Sequence, residues 1–279
     1  MQNLIAYPPI ALPTLQQWWT KNSQATTPLA IKYMAQCEST NAQLYSSARQ
    51  HNTLLVTEQQ SHGKGQFERT WVSQSGDLIF SVGLLLHASH LPALSLRIGL
   101  ALTQVFKQHD LNVRLKWAND VIASHPDTGQ RGKLAGILVQ STATAQPNTL
   151  WVVVGVGINV AARLLPQNIS PSVFVPIGLA QLSSKWMSPP AGEREALLMQ
   201  LVDTILVHIE TISVQGSLAN QWNPHDLWYD HAMTLTDAQG NEHTGIGAGI
   251  NDSGEYQLLS NNTLKSFHSG QLRPEKTSS

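Results

Sequence analysis

The chain has 279 residues, of which 42% are hydrophobic and 13% charged, with a formal net charge of -1. That balance suits a globular protein with a sizeable core and argues against the broad positive field used by nucleic-acid and membrane-surface binders, so any bound anion must be held by a local site. The single cysteine, Cys37, excludes an intramolecular disulfide and a multi-thiolate metal site within one chain and fits a reducing compartment; a cytoplasmic location is expected.

The N-terminus has no early basic residue and is broken by Pro8, Pro9 and Pro13, so it does not read as a signal peptide. The most apolar stretches, 78–86 and 150–160, fall short of the ~20 residues that span a bilayer, and a soluble protein is expected. Residues 1–36 mix Pro, Thr and Gln with Trp18 and Trp19 and hold no sustained period; they read as an N-terminal extension with one short helix over 15–21. At Ser39 a helix start is predicted, because Ser, Thr and Asn cap free amides and Ala42, Tyr45 and Ala48 follow at helical spacing. A strand at 53–57, a polar glycine-containing loop over 59–70 and a long strand over 77–86 come next.

Residues 94–109 predict a helix whose apolar face is Ile98, Ala101, Leu102, Val105 and Phe106, and VRLKW then alternates as a strand closed by Asn119 and Asp120. Further strands are expected at VIAS, at 134–140 and at 150–160, the last apolar enough to be buried on both faces. A Pro-rich connection over 164–176 leads to a long amphipathic helix over 193–212. After Trp222 short strand candidates alternate with Gly, Asn and Asp turn signals, which predicts a small all-β barrel. Its GIGAG run has no helix after it and reads as a strand bend rather than a phosphate loop. The fold class is therefore α+β: a mixed β-sheet flanked by helices over 37–221, then a small β domain over 222–279.

Three segments share one chemical character: GKGQFER (63–69), KWAND (116–120) and GKLAG (132–136). Glycine lets a ligand approach the backbone and exposes amide N–H groups, while lysine is a compact charge for a carboxylate or phosphate. Singly, each is more often a solvated turn or a surface lysine. The order STN, GKG with a following arginine and tryptophan, KWAND, GKLAGILVQ and GVGIN over 38–159 resembles the biotin protein ligase family.

The resemblance implies a class II aminoacyl-tRNA synthetase-like catalytic domain followed by an SH3-like barrel. It also implies activation of biotin with ATP to biotinyl-5'-AMP, with Mg2+, and transfer to a lysine of a biotin carboxyl carrier protein of acetyl-CoA carboxylase. Ser39, Thr40, Asn41 and Gln60 then match biotin contacts, and Gly63, Lys64, Gly65 and Gln66 match the loop over biotin and the adenylate. Lys133, with Gly136 beside it, matches the lysine at the biotin carboxylate and the reacting phosphate, and Gly155, Gly157 and Asn159 match the strand beneath the ligand. The resemblance further assigns Lys64, Gln66, Arg69, Trp71, Asn119, Asn159 and Arg273 to the nucleotide, and Lys133, Asp120 and Arg69 to the chemistry.

Two positions depart from the family pattern. Gln66 replaces an arginine that grips the adenylate, which predicts weaker retention, and Ala118 replaces the proline of KWPND. A lipoate or octanoate ligase and a non-catalytic biotin-binding paralogue remain as alternatives. A ligase-repressor needs a helix-turn-helix ahead of STN, longer than the chain there allows, so DNA binding is not expected; a homodimer is left open. Cys37 reads as a buried small residue, Trp71 and Trp117 also suit core or pocket wall, and the scattered histidines predict no tightly bound structural metal.

Overall fold

A computed structural model describes residues 7–47, 51–66, 69–163, 174–212 and 216–275. Ala48 of the predicted helical spacing and residues 164–173 of the Pro-rich connection lie outside the described residues. The N-terminal half runs α1 (Leu12–Asn22), β1 (Ala30–Cys37), α2 (Thr40–Ser46), β2 (Thr53–Gln60), β3 (Leu78–His87) and α3 (Leu94–Gln108). Next come β4 (Val113–Lys116), β5 (Asp120–Ser124), β6 (Arg131–Ala143), β7 (Thr149–Ile158), β8 (Val175–Pro176), α4 (Leu179–Leu182), α5 (Glu193–Glu210) and α6 (Leu218–Trp222).

The large sheet has the order β1-β2-β3-β7-β6-β5-β4, with β8 paired to β6. It is mixed: β1 runs parallel to β2 and β8 to β6, and the other pairs are antiparallel. Strand alternation explains how an unbroken apolar run such as VVV is buried on two faces. Leu55, Trp151 and Val153 pack under Leu44 of α2, whereas Leu54, Val56, Val152 and Val154 join the main core that α3 and α5 cover. The indole of Trp151 also donates to Leu44 O at 3.0 Å, which fixes α2 on its face of the sheet.

Strand β1 falls inside the stretch read from sequence as an aperiodic extension. It is an edge strand in which Ile31 and Tyr33 lie half-buried against the core and alternate with exposed Lys32 and Met34, an apolar face of two residues that is too short to stand out in the sequence. Helix α1 is longer than the predicted 15–21 because Pro13 occupies its first turn, where a missing N–H costs nothing. The stretch that follows is tied to α5: Asp203 Oδ1 accepts from Ser23 Oγ and from the amides of Gln24 and Ala25 at 2.7–3.0 Å.

The C-terminal strands β9 (Ala232–Thr236), β10 (Glu242–Ile250), β11 (Tyr256–Ser260), β12 (Thr263–Phe267) and β13 (Gln271–Pro274) form an antiparallel sheet in the order β12-β11-β10-β9-β13. This is the small β domain expected, with an open pairing path among the described residues. GIGAG lies in β10, whose register shifts between Gly247 and Ile250, and Gly249 has φ +75° there, a left-handed position that glycine tolerates. The domain is fused to the large one through Trp117, which donates Nε1–H to Gly254 O at 3.1 Å and packs on Tyr256. No described helix is long and apolar enough to cross a membrane.

Candidate active site

Ser39 is extended and its hydroxyl accepts the Ala42 amide at 3.4 Å. This cap sets Thr40 and Asn41, both buried, on the first turn of α2 above β7. Asn41 fits only because position 155 is glycine: a Cβ there would lie 2.0 Å from Asn41 Oδ1. Asn41 Nδ2 donates to Gln140 Oε1 at 3.0 Å and toward Leu138 O at 3.3 Å. Ser81 Oγ lies 2.6 Å from both Thr40 Oγ1 and Asn41 Oδ1, and Gln60 Oε1 accepts the Thr40 amide at 2.7 Å. One end of the cleft is therefore a connected polar chain, with Ile79, Phe80 and Val156 as apolar neighbours.

Two residues along β7, about 7 Å by strand rise, the character changes. Gly157 pairs with Gly136 across β6. A Cβ on Gly157 would meet the Trp71 indole at 2.4 Å, and one on Gly136 would meet Lys133 Nζ at 3.0 Å. The glycines thus clear a floor on which Trp71 lies, with the Lys133 ammonium 5.6 Å from its ring. Trp71 Nε1 is buried with no hydrogen-bond partner among the described residues.

Lys133 reaches this floor through a bulge. Val121 pairs with Ala135 but Ile122 pairs with Lys133, so Leu134 is the extra residue and Lys133 turns to the side of Gly136; re-aiming a side chain is what bulges near functional sites do. Its Nζ sits 2.6 Å from Asp120 Oδ1, while Lys116 Nζ sits 3.4 Å from Asp120 Oδ2. Asn119 beside them is tied to β6 twice: its side chain donates to Ile137 O at 2.9 Å and its carbonyl accepts the Ile137 amide at 2.9 Å.

The glycine loop forms the remaining wall. Trp71 N donates to Gly63 O at 2.8 Å and Gly65 N to Arg69 O at 2.7 Å, which brings Lys64, Gly65 and Gln66 to the cleft. Gly63 itself is buried beneath Gln60 and Trp71, where a Cβ would lie 2.5 Å from Trp71 O. The whole is a cleft partly open to solvent, apolar for the most part with a few convergent polar groups, as small-molecule sites commonly are.

Most of the residues singled out in the sequence meet in this cleft: Ser39, Thr40, Asn41 and Gln60 at one end; Trp71, Asn119, Lys133, Gly136 and Gly157 at the other; Lys64, Gly65 and Gln66 across, and Gly155 beneath. Five do not line it: Gly63 is buried beneath Gln60 and Trp71, Asp120 touches the cleft only through Lys133, and three more lie apart. Arg69 is exposed and donates to Gln271 Oε1 of β13 at 3.2 Å. Asn159 is buried behind β6, donating to Lys133 O at 2.9 Å and accepting from Arg163 at 2.7 Å. Arg273 is exposed and paired with Glu242 of its own sheet. Sequence reading passed over Ser81 and Gln140, each the one polar residue of an apolar run (LIFSVGLLL and LAGILVQ); that break in pattern was the available signal.

Residues 33–159 match the biotin/lipoate A/B protein ligase family. Over 82% of its length, and 82% of the relative's, the chain is 28% identical to the biotin--[acetyl-CoA-carboxylase] ligase of Mycobacterium tuberculosis. The bifunctional ligase/repressor BirA of Bacillus subtilis is 23% identical over 86% of this chain and 71% of that protein. In fold, the domain and its C-terminal sheet superpose on the biotin protein ligase of Aquifex aeolicus, solved with biotin and ATP, with a TM-score of 0.71 at 23% identity, covering 88% of this chain and 99% of that one.

Proposed function

We propose that this chain is a biotin protein ligase that activates biotin with ATP and transfers it to a lysine of a carboxylase carrier domain, in the cytoplasm. The observation that carries the choice of acid is the polar chain Gln60–Thr40–Ser81–Asn41–Gln140 at one end of the cleft. A ureido ring offers two N–H donors and a carbonyl to such groups. The dithiolane of lipoate or the methyl end of octanoate offers none and would cover these groups, excluding water without supplying a hydrogen bond in its place, a mismatch that disfavours the wrong ligand.

With its ring at Asn41, the acid's chain runs along Gly155 toward Gly157 and brings its carboxylate to Lys133. The carboxylate oxygen attacks the α-phosphorus of ATP, the bond to the bridging oxygen breaks, and pyrophosphate leaves with the electron pair. Two anions must approach for this, and Lys133 and Lys64 supply fixed positive charge. Asp120 holds the Lys133 ammonium in place until the substrates arrive. Both Asp120 oxygens face lysines, so the described residues suit magnesium that enters on the nucleotide's phosphates rather than in a protein cage. Trp71 offers a flat face and an unsatisfied indole N–H to the nucleotide.

In the second step the carrier amine attacks the acyl carbon of biotinyl-5'-AMP, AMP leaves, and the amine proton passes to a nearby carboxylate, for which Asp120 is the candidate. The test is to incubate the chain with MgATP, a carrier domain and either biotin or lipoate, and to weigh the intact carrier. A biotin-sized gain supports the reading; a gain with lipoate alone overturns the choice of acid, and binding of biotin without any gain makes the chain a non-catalytic paralogue.

A further inference from the structure

Asp120 is held by two lysines, and the reading above uses only one of them. Lys116 ends β4, Asp120 opens β5, and the two are a register pair; Lys116 Nζ lies 3.4 Å from Asp120 Oδ2. Lys133 takes the other oxygen at 2.6 Å. All three side chains are half-buried, at 20%, 15% and 29% exposure, where an unpaired charge is costly and a paired one is weakly screened. Lys116 and Lys133 are the charged groups in contact with Asp120 among the described residues.

The two ammoniums have different surroundings. Lys133 projects over Trp71 into the cleft, so an incoming carboxylate and phosphate compete with Asp120 for it. Lys116 lies away from that floor, on the side of Ser95, Gly99 and Trp222, and does not line the cleft. When Lys133 turns to the anions, Lys116 is the cation that stays with Asp120.

We propose that Lys116 is a positioning residue for the transfer half-reaction: it keeps the Asp120 carboxylate oriented after Lys133 has turned to the substrate, so that Asp120 can accept the carrier amine's proton. This rests on the proposed biotin ligase reaction. In the step concerned the amine nitrogen bonds to the acyl carbon, the bond from that carbon to the AMP oxygen breaks, AMP departs with the electron pair, and the proton lost by nitrogen goes to Asp120 and then to solvent.

The test separates the half-reactions in the full-length chain, using Lys116→Met and Lys116→Arg. One assay follows biotin-dependent pyrophosphate release; the other follows single-turnover transfer from pre-formed biotinyl-5'-AMP to the carrier domain across a pH series. In Lys116→Met the ratio of transfer rate to adenylation rate is expected to fall by about tenfold or more. The acidic limb of the transfer profile should move to higher pH, because removing a cation makes a carboxylate easier to protonate. Lys116→Arg should recover most of both. The proposal is overturned if the two half-reactions fall together, if transfer keeps its rate, or if it slows with an unmoved pH limb. A wild-type chain that releases no pyrophosphate with biotin and modifies no carrier overturns instead the ligase reading on which this rests.

Discussion

Two ion-pair clusters flank the strand end that carries Lys133, and they have opposite fates. Asp77 and Arg163 are buried, at 0% and 6% exposure, while Asp120, Lys133 and Lys116 are open at 15–29%. The buried pair is fully occupied by structure: Asp77 also accepts from the amides of Gln74 and Val160 at 2.8 and 3.0 Å, and Arg163 donates to Asn159, which in turn holds the Lys133 carbonyl. Burial pushes the Asp77 carboxyl up from the usual carboxylate range, and Arg163 with the two amides pulls against it. The open cluster has charge to exchange with a ligand. A carboxylate paired with a cation is scaffold where water is excluded and, in the proposed reaction, chemistry where it is not.

Breaking the buried pair should have the largest effect on stability. Arg163→Met leaves Asp77 uncompensated and is expected to cost about 3–5 kcal/mol in denaturant unfolding, with adenylation per folded molecule falling less than about tenfold. An unchanged midpoint would mean that the pair is no scaffold.

Gly155→Ala tests the cleft itself. Its methyl group would collide with Asn41 Oδ1, so KM for biotin should rise about tenfold or more, equal to about 1.4 kcal/mol, with a smaller change in kcat. Initial rates over a biotin series check this, and an unchanged KM would remove Asn41 from the ring end of the cleft.

A third carboxylate sharpens the comparison. Asp226 is buried with no cation bonded to it among the described residues, accepting from Trp228 N at 3.1 Å and Tyr256 Oη at 3.0 Å, and burial pushes its pKa up to about 6. A carboxyl whose folded value is raised contributes stability at low pH and loses it as pH climbs through the folded value. Asp226→Asn should therefore flatten the pH dependence of Tm between about 4 and 6 and raise Tm near neutral pH by about 2–4 °C. A lower neutral Tm would show that the ionised carboxylate is well solvated or paired.

Much of this was legible in the sequence where local chemistry decides structure. The Ser39 cap, the α3 face of Ile98, Ala101, Leu102, Val105 and Phe106, and the doubly buried β7 each rest on a pattern that neighbouring residues carry. The glycines at 136, 155 and 157 were legible as close-approach positions, though not what approaches them: Asn41 and Trp71 come from elements far off in the chain. Strand β1 was missed because its alternation of Ile31 and Tyr33 with Lys32 and Met34 is too short to stand out, and Lys116 passed as part of a motif because its tie to Asp120 depends on the β4–β5 register. Arg69 and Arg273 entered from resemblance, and their side chains bond to Gln271 and Glu242 rather than lining the cleft. The small C-terminal β unit was foreseen from its turn signals, which count strands but do not set their pairing order.

The most direct test of the account is Lys133→Ala, with biotin-dependent pyrophosphate release measured beside denaturant unfolding. The open cluster predicts loss of about 100-fold or more in adenylation with stability kept within about 1 kcal/mol. Release at the wild-type rate, or a loss that simply follows unfolding of the chain, would contradict the assignment of Lys133 to the reacting anions.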